Sequence, residues 1–522
     1  MGLHPVYRYR GNLEFMDSFT HSPVVPLHDG DVQGVKREHD CRFFGIPYAA
    51  PLVQGNRFAG PQPVTPWEGT LDCTEPAATC QHFRIDPNPA IPDPVIDGDN
   101  QLHVTVYAPT DALAPKDKPV SSKKLPVFVW FHGGGFISGS NAIDWWDGKE
   151  FTKEDVVVVA ANYRLGAEGW MPLVDSESFN NRGLFDQIAA LEWVRDNIAF
   201  FGGDPQNVTI GGQSAGGTSV LTLMTAPAAE GLFQRVFACS PAIIRLPTNA
   251  KGKNMVRLGK TIFPFREFSE WEMEKWSKED MYKLEKGMHK LHPFGMPYHP
   301  TIDAETHPEP LQIAVKNPAF RKYPLLIGST SEEFNMVTFN GFLSLLTRAA
   351  AEIALRAAGV NKRERQSAIA AHAHDIKTGR IGALMTDTMI RSGVTYVIEG
   401  RERSGKVASP SKTWVYDYRW PGRQGAGHCT DLPLWWGNLD AENASEFTGS
   451  VEDGKLQDPY GQALAEQMHR ALVRFIKEGD PGWPAFTDRT RACMLLDEKV
   501  ELDYDTYEAQ RRTWLIDPFT RK

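Results

Sequence analysis

The 522-residue sequence has no long apolar run. None of its runs approaches the roughly 18 residues that a membrane-spanning helix requires. Residues 1–25 also lack the apolar stretch of a secretory signal peptide. From these two absences we predict a soluble cytoplasmic protein with no membrane partner.

Cysteine is scarce, with six residues in the whole chain and no C-x-x-C pair. A cysteine-ligated zinc site normally shows such a pair, so its absence argues against a structural metal site. A chain of this length also buries enough surface to fold without disulfides. The sequence therefore predicts neither a metal centre nor a disulfide framework.

An excess of basic residues is missing as well. The chain carries 56 Lys and Arg against 65 Asp and Glu, a formal net charge of -9. This mild acidity argues against a nucleic-acid partner and against an anionic membrane surface. We also find no internal repeat and no linker that would separate independent domains, so we predict one domain over residues 1–522.

Short, almost continuous apolar runs are present instead, at 125–131 (LPVFVWF) and 155–161 (DVVVVAA). Such runs are typical of strands that are buried on both faces of a parallel sheet. Further candidate strands lie at 208–212, 323–328 and 412–418. Helical spacing follows some of these strands, in two apolar series: Leu184, Ile188, Leu191, Val194 and Ile198, and then Leu464, Met468, Leu472 and Phe475. Strands that alternate with helices predict an α/β protein with a mostly parallel central sheet flanked by helices.

Two further regions, roughly 249–322 and 345–402, are helix-prone and lack strand patterns. We predict that they are helical insertions into the α/β domain. The first region is charged and contains the segment WEMEKWSKEDMYKLEKGMHKLH. It fits either a cap beside the sheet or an amphipathic helix that covers the core.

A G-x-S-x-G motif at residues 212–216 makes Ser214 a candidate nucleophile. A serine hydroxyl is weakly nucleophilic unless it is exposed on a strained turn beside a general base. The flanking residues predict that turn, because NVTI reads as a strand and SAGGTSVLTLMTA as the start of a helix. The context therefore favours a nucleophile elbow over an ordinary small-residue turn.

A second glycine-rich segment, FHGGGF at 131–136, follows the candidate strand 125–131. Glycines allow backbone N–H groups to approach an anionic oxygen closely. We predict that Gly134 and Gly135, together with the N–H of Ala215 after the nucleophile, form an oxyanion hole. A phosphate-binding loop is excluded because no G-K-[ST] sequence follows.

These motifs resemble the type-B carboxylesterases, an α/β-hydrolase family that includes cholinesterases and bacterial para-nitrobenzyl esterases. The resemblance begins at FFGIPYAAPLVQGNRFAGPQPVTPWEGTLDCT (43–74), includes NYRLGAEGW, and ends in GDPGWPAF (479–486). Its most specific part runs from Asn181 to Gly217. The resemblance implies an α/β-hydrolase fold and a serine esterase that needs no cofactor.

The same resemblance implies the other two members of a catalytic triad. Glu333, in LLIGSTSEEF, occupies the position of the family's acid, and His428, in GHCTDLPLWWGNLD, occupies that of its base. The implied mechanism is acyl transfer, in which neutral His428 activates Ser214 and Glu333 orients the imidazole. We expect activity to rise as His428 loses its proton, with a pKa near 6–7.

The chain departs from the family pattern near the predicted site. Gln213 replaces a common Glu, Phe334 replaces a Gly, and Glu168 replaces a Phe. We expect Gln213 to make cationic esters less favoured, and we predict Gln213, Glu168, Phe334 and Phe136 as substrate-binding residues. Glu168 also fits a second interpretation, a salt-bridged structural residue.

Another departure concerns a loop disulfide of the family. Cys80 matches its first half, but Gln101 stands where the second cysteine would be. The bond cannot form, which agrees with the reducing cytoplasm that we predict for the protein.

The leading hypothesis is hydrolysis of small to medium apolar carboxylic esters. An amide or carbamate hydrolase would use the same residues, and a triacylglycerol lipase is a further alternative. A non-catalytic binding protein is a remote alternative, because Ser214 and His428 are intact. The sequence allows a monomer or a homodimer.

Overall fold

The computed structural model describes residues 20–80, 89–116, 123–173, 180–243, 250–292, 296–338, 347–357, 360–403 and 412–514. Most of the segment over which we predict no signal peptide lies outside the described residues, as do parts of the two predicted insertions.

The strands are short and, in chain order, their bounds are β1 Thr20–His21, β2 Val25–Pro26, β3 Asp31–Gln33, β4 Val35–Lys36, β5 Asp40–Pro47, β6 Thr70–Asp72, β7 His103–Pro109, β8 Leu125–Phe131, β9 Val157–Ala161, β10 Gly203–Gln213, β11 Arg235–Cys239, β12 Leu325–Thr330, β13 Thr413–Tyr418, β14 Val451–Glu452, β15 Lys455–Leu456, β16 Ala492–Leu496 and β17 Glu501–Tyr504. All the strands predicted from apolar runs are present, with ends shifted by a few residues.

The α-helices, in the same order, are α1 Lys149–Thr152, α2 Gly166–Trp170, α3 Arg182–Asn197, α4 Ala215–Leu223, α5 Ala250–Ile262, α6 Glu270–Met273, α7 Lys278–Leu291, α8 Leu311–Ala314, α9 Pro318–Arg321, α10 Thr347–Ala357, α11 Lys362–Ala371, α12 Ala373–Lys377, α13 Ile381–Thr386, α14 Ser392–Arg403, α15 Leu432–Trp436, α16 Ala444–Thr448, α17 Pro459–Glu478 and α18 Glu508–Trp514. A π-helical turn, Asp387–Arg391, joins α13 to α14. Both predicted apolar helix faces are buried, on α3 with the turn after it and on α17.

Twelve strands of the described residues form one sheet in the order β1-β4-β5-β7-β9-β8-β10-β11-β12-β13-β16-β17. The strands from β9 to β16 in this order pair in parallel. The two edges are antiparallel, from β1 to β9 on one side and between β16 and β17 on the other. The prediction of a mostly parallel central sheet is therefore confirmed.

Alternation along the central strands supplies a core on each face of the sheet. On β8, Val127, Val129 and Phe131 join one apolar cluster, whereas Phe128 and Trp130 join the other. Successive side chains of a strand point to opposite faces, so a continuous apolar run serves both layers. Because parallel strands end at one edge, the segments after β8, β10, β12 and β13 lie along the same edge of the sheet.

The two predicted insertions contain helices. In the first, α7 buries Met281, Leu284 and Met288 in the same cluster as the central strands. This packing matches an amphipathic helix over the core, one of the two interpretations offered for that segment. In the second, helices α10 to α13 share a separate apolar cluster with Trp514. The division into one catalytic domain with inserted helices stays a prediction. None of the helices in the described ranges is long and apolar enough to cross a bilayer.

Candidate active site

Ser214 lies on a strained turn between β10 and α4. Its backbone has φ 56° and ψ -117°, a conformation that L-residues rarely adopt, and α4 begins at the next residue. The Ser214 N–H donates to the carbonyl of Cys239 at 3.0 Å, which fixes the turn to the neighbouring strand. The strand, turn and helix that the sequence predicts around Ser214 are therefore present.

Gly216 allows α4 to begin directly against the end of β8. A Cβ at this position would lie 2.0 Å from the carbonyl oxygen of Phe131 and 2.6 Å from that of His132. These distances are far below van der Waals contact, so a larger residue would force the elbow away from the glycine loop. The second glycine of G-x-S-x-G therefore sets the distance between the two predicted motifs.

The glycine loop, which we define as residues 132–138, turns tightly after β8. The carbonyl of Gly134 accepts hydrogen bonds from the N–H groups of Ile137 and Ser138, both at 3.0 Å. In the part of the chain that the structure describes, the N–H groups of Gly134, Gly135 and Ala215 donate to no acceptor. These three N–H groups are therefore free to donate, which is what the donors of an oxyanion hole require.

Gly133 is the member of the loop that approaches the elbow. A Cβ at Gly133 would lie 3.2 Å from the Cβ of Ser214. The sequence predicted Gly134 and Gly135 as donors and did not single out Gly133. Three consecutive glycines carry no information on which of them faces the serine, so only coordinates reveal this contact.

Glu333 and His428 form a direct pair. The His428 Nδ1 and the Glu333 Oε2 are 2.5 Å apart, and the glutamate is fully buried. Two further contacts fix the pair, since Thr330 N–H donates to Glu333 Oε1 and the backbone N–H of His428 donates to the Glu333 carbonyl, each at 2.9 Å. The carboxylate therefore holds the imidazole in one orientation, with Nδ1 facing Glu333.

His428 is partly accessible, with 22% of its side chain exposed. Burial acts to lower its pKa, but Cys429 and the Glu333 carboxylate act in the opposite direction and raise the pKa well above the ordinary value. The sequence-based expectation of 6–7 is thus lower than the value that this environment favours. The neutral form of His428, which a general base must adopt, is favoured only at higher pH.

Gln213 lies beside Nε2, the other nitrogen of the His428 imidazole. Its amide Nε2 lies 3.1 Å from His428 Nε2 and 3.0 Å from the Sγ of Cys429. Among the described residues, Ser214 Oγ makes no hydrogen bond with His428. Hydrogen bonds between nucleophile and base are often long without substrate and tighten when it binds. The residue predicted to contact substrate therefore contacts the predicted base in this structure.

Phe334 covers one face of the same imidazole. The two rings stack with centroids 5.2 Å apart and an interplanar angle of 30°. The Phe334 N–H donates to the hydroxyl of Thr386 at 2.9 Å, which ties this turn to α13 of the second inserted region. The sequence did not reveal Thr386, because nothing in its neighbourhood distinguishes it from other helical threonines.

The other two predicted substrate-binding residues are buried. Phe136 is fully buried, and its ring lies 4.3 Å from that of Trp170. Glu168 forms an ion pair with Arg57, with 5% of its side chain exposed, as the structural interpretation of this residue predicts. A role in substrate binding stays a prediction for both.

Buried charges and thiols support the frame around the site. Arg164 and Asp186 form a fully buried ion pair at 2.6 Å. All six cysteines are free and buried, and Cys80 Sγ lies 3.4 Å from the carbonyl of Gln101, the residue that takes the place of the family's second cysteine. Within the described ranges, no group of three or more His, Cys, Asp or Glu side chains is arranged to hold a metal ion.

Comparison with known proteins agrees with this geometry. The sequence profile of the carboxylesterase family matches residues 21–514. The para-nitrobenzyl esterase of Bacillus subtilis (strain 168) is 31% identical and aligns over 94% of this chain and 98% of its own. The fumonisin B1 esterase of Sphingopyxis macrogoltabida is 29% identical over 90% of this chain and 86% of its own. An acetylcholinesterase of Bungarus fasciatus is 27% identical over 89% and 81%, respectively.

Solved structures agree with the sequence comparison. A PNB esterase structure superposes with a TM-score of 0.77 and 29% sequence identity, covering 94% of this chain and 99% of that one. A thermophilic PNB esterase gives a TM-score of 0.79 at 28% identity. The α/β-hydrolase fold and the nearly complete match to one family lead to the same conclusion: the chain belongs to the carboxylesterase family and is a carboxylesterase.

Proposed function

We propose that Ser214, His428 and Glu333 form the catalytic triad of this carboxylesterase, and that it hydrolyses small to medium apolar esters through an acyl-enzyme. The observation that carries the proposal is the Glu333–His428 pair on the same sheet edge as the strained Ser214 elbow. A carboxylate on Nδ1 leaves Nε2 as the nitrogen that accepts a proton. Two independent parts of one mechanism therefore support the same three residues.

In the proposed reaction, His428 Nε2 removes the hydroxyl proton as Ser214 Oγ attacks the ester carbonyl carbon. The tetrahedral intermediate collapses, the C–O bond to the alcohol breaks, and His428 returns the proton to the leaving alcohol. A water molecule, deprotonated by His428, then attacks the acyl-enzyme and releases the acid and free Ser214. Gln213 has to release Nε2 for these proton transfers, because its amide is next to that nitrogen in the resting enzyme.

The negative oxygen of each tetrahedral intermediate is assigned to the unpaired N–H groups of Gly134, Gly135 and Ala215. Donors that already point at the developing charge need no reorganisation during the reaction. Loss of one such donor costs about 3–4 kcal/mol in other serine hydrolases. The tight turn at Gly134 supports this assignment, because it holds two successive donors rigidly.

Apolar esters are proposed as substrates because of the groups that surround His428. Phe334 stacks on the imidazole, and an uncharged amide, Gln213, is adjacent to it. A cationic alcohol group would find no carboxylate at position 213, where the family often has Glu. The names of relatives, para-nitrobenzyl esterase among them, support an ester with an aromatic alcohol as a first substrate to test.

The test is hydrolysis of p-nitrophenyl esters from C2 to C8 by the wild type, Ser214→Ala and Ser219→Ala. Ser219 is a matched control, because it is a buried serine on α4, the helix that follows Ser214. Its hydroxyl accepts a hydrogen bond from the Gln187 amide. We expect Ser214→Ala to lose at least about 10⁴-fold in kcat, whereas Ser219→Ala keeps its turnover per folded molecule. The p-nitroanilide of the preferred acyl group distinguishes ester from amide hydrolysis.

Two results would contradict the proposal. Equal turnover by wild type and Ser214→Ala would exclude the elbow serine as the nucleophile. A wild type that binds the esters without hydrolysing any of them would favour the non-catalytic alternative.

A further inference from the structure

Glu285 is a buried carboxylate that the proposed mechanism does not use. It lies on α7 of the first inserted region and is only 6% exposed. Its Oε1 accepts the backbone N–H of Ala167 at 2.8 Å, whereas its Oε2 has no hydrogen-bond partner among the described residues. On an amphipathic helix this position would ordinarily be apolar, so the contact with Ala167 requires an explanation.

The surroundings of Glu285 favour its neutral form. Burial raises the pKa of Glu285 to about 8, although the Ala167 N–H and the neighbouring Tyr298 hydroxyl both act against that shift. The charged and titratable neighbours are Glu168 and Tyr298, and neither is a cation. Glu285 therefore contacts Ala167 as a hydrogen-bonding group whose neutral form is favoured, and not as half of an ion pair.

The residues beside Ala167 are attached to both ends of the glycine loop. We call residues 163–170 the clamp segment. At the start of the loop, Tyr163 Oη donates to the carbonyl of His132 at 2.6 Å, and the two rings stack 4.5 Å apart. In the second half of the glycine loop, the carbonyl of Phe136 accepts a hydrogen bond from the N–H of Gly166 at 2.7 Å. The Phe136 ring packs on Trp170 of the same segment.

Gly166 makes the approach of Glu285 possible. Its φ is 55°, and a Cβ at this position would lie 2.3 Å from Glu285 Oε1. The clamp segment therefore adopts a left-handed conformation at the point where the carboxyl group reaches it. Any residue other than glycine would carry backbone strain there and would also displace the Glu285 side chain.

We propose that Glu285 is a positioning residue for the oxyanion hole. Through Ala167 it fixes the clamp segment, and through Tyr163, Gly166 and Trp170 that segment fixes the loop that carries the N–H donors of Gly134 and Gly135. The inserted helix α7 thus contributes to transition-state stabilisation without touching the substrate. This inference rests on the proposed oxyanion hole.

The experiment compares Glu285→Leu and Glu285→Gln with the wild type on the p-nitrophenyl butyrate reaction. The active sites are counted from the burst of p-nitrophenol, so that kcat refers to acylatable enzyme only. We expect Glu285→Leu to lower kcat by about 10- to 100-fold with KM within about threefold, because donors displaced by a fraction of an ångström lose their fit to the transition state. Glu285→Gln keeps an oxygen that accepts the Ala167 N–H, and it should restore most of the lost kcat.

Glu364→Leu is the matched control for burial of a glutamate on an inserted helix. Glu364 has the same 6% exposure and lies on α11 of the second inserted region. This control should lower Tm without lowering kcat per titrated site. If Glu285→Leu behaves in the same way, the carboxyl group only supports the scaffold and the proposal is overturned.

Gly166→Ala displaces the Glu285 side chain from the clamp segment by adding a methyl group on the clamp side. It provides a second test if Glu285→Leu does not fold. We expect a comparable fall in kcat with little change in KM, and an unchanged kcat per titrated site would overturn the proposal. Failure of Ser214→Ala to abolish turnover would instead remove the proposed triad. The failure of one proposal is therefore distinguishable from the failure of the other.

Discussion

Two buried glutamates, Glu333 beside His428 and Glu285 against the clamp segment, have surroundings that differ in one respect. Glu333 has a basic partner, since His428 is 2.5 Å from its Oε2 while Oε1 accepts the Thr330 N–H. Glu285 has a single backbone donor and no cation among the neighbours that shift its pKa. The comparison shows that burial alone does not assign a role to a carboxyl group. In the proposed triad the basic neighbour of Glu333 is the group that this carboxyl group orients, whereas the absence of a cation favours the neutral form of Glu285.

Glu168 gives an intermediate case within the clamp segment. It is slightly more buried than Glu285, but Arg57 pairs with its carboxylate at 2.5 Å. A buried ion pair satisfies both charges and contributes little net stability, yet removal of one partner is costly. The clamp segment therefore contains one glutamate that is paired with an arginine, Glu168, and contacts a second, Glu285, through a backbone N–H.

The largest effect is expected when Glu333 loses its charge. In Glu333→Gln the side-chain NH₂ group can face Nδ1, which then becomes an acceptor and leaves the proton on Nε2. Nε2 could no longer remove the Ser214 proton, and we expect kcat to fall by about 10³- to 10⁴-fold. Steady-state kinetics with p-nitrophenyl butyrate measures the loss, and NMR of the imidazole protons reports the tautomer.

Glu332→Gln is the control for this prediction. Glu332 precedes Glu333 directly, but its side chain is exposed and makes no ion pair with His428 among the described contacts. We expect its kcat to stay close to that of the wild type. A larger loss for Glu332→Gln than for Glu333→Gln would reverse the assignment of the acid.

An effect on stability is expected at the second glutamate. Burial raises the pKa of Glu285 from an ordinary value of 4.5 to about 8 in the folded protein. Between these pH values the unfolded chain releases the proton and the folded chain retains it, so stability falls as pH rises. Glu285→Gln removes this dependence. Its Tm relative to the wild type should therefore rise across that window, by roughly 1 °C per pH unit for a chain of this size.

Thermal unfolding of both proteins at several values from pH 4.5 to 8 tests this prediction. Below pH 4.5 the side chain at position 285 is neutral in both proteins, folded and unfolded, so the difference in Tm should be constant there. A difference that is the same at every pH would mean that Glu285 is ionised in the folded protein. The distinction drawn between the two glutamates would then fail.

The sequence predicted Glu333 but not Glu285, and the reason is physical. Glu333 follows a strand that its apolar run predicts, at the sheet edge where catalytic groups lie, but only the resemblance to the family distinguishes it from a solvated loop glutamate. Glu285 lies on a helix whose charged pattern resembles that of any solvated amphipathic helix. Its burial depends on the packing of α7 against the clamp segment, which is distant in sequence. No local pattern encodes that contact.

Sequence distance also decided which other contacts around the site were predictable. The elbow was predictable because residue spacing, flanking strand and helix all describe a local structure. The stacking of Phe334 on His428 and the contact of Gln213 with His428 Nε2 join segments that are far apart along the chain. Substitutions at these positions were visible in the sequence as departures from a family pattern. Their contacts with the base, rather than with a substrate, were not.

The smallest effect is expected when a second carboxylate is placed on the other side of the His428 imidazole, opposite Glu333. In Gln213→Glu a carboxylate would face His428 Nε2, where the amide now lies 3.1 Å away. A negative charge at that distance stabilises the imidazolium and raises the pKa of His428 further. Because only neutral His428 accepts the Ser214 proton, the acidic limb of the kcat/KM profile should move to higher pH. Gln213→Leu removes the amide without adding charge, so its acidic limb should not rise. A limb that stays in place in Gln213→Glu would mean that the side chain at 213 turns away from the imidazole in solution, and that the charge of the base is set from the Glu333 side alone.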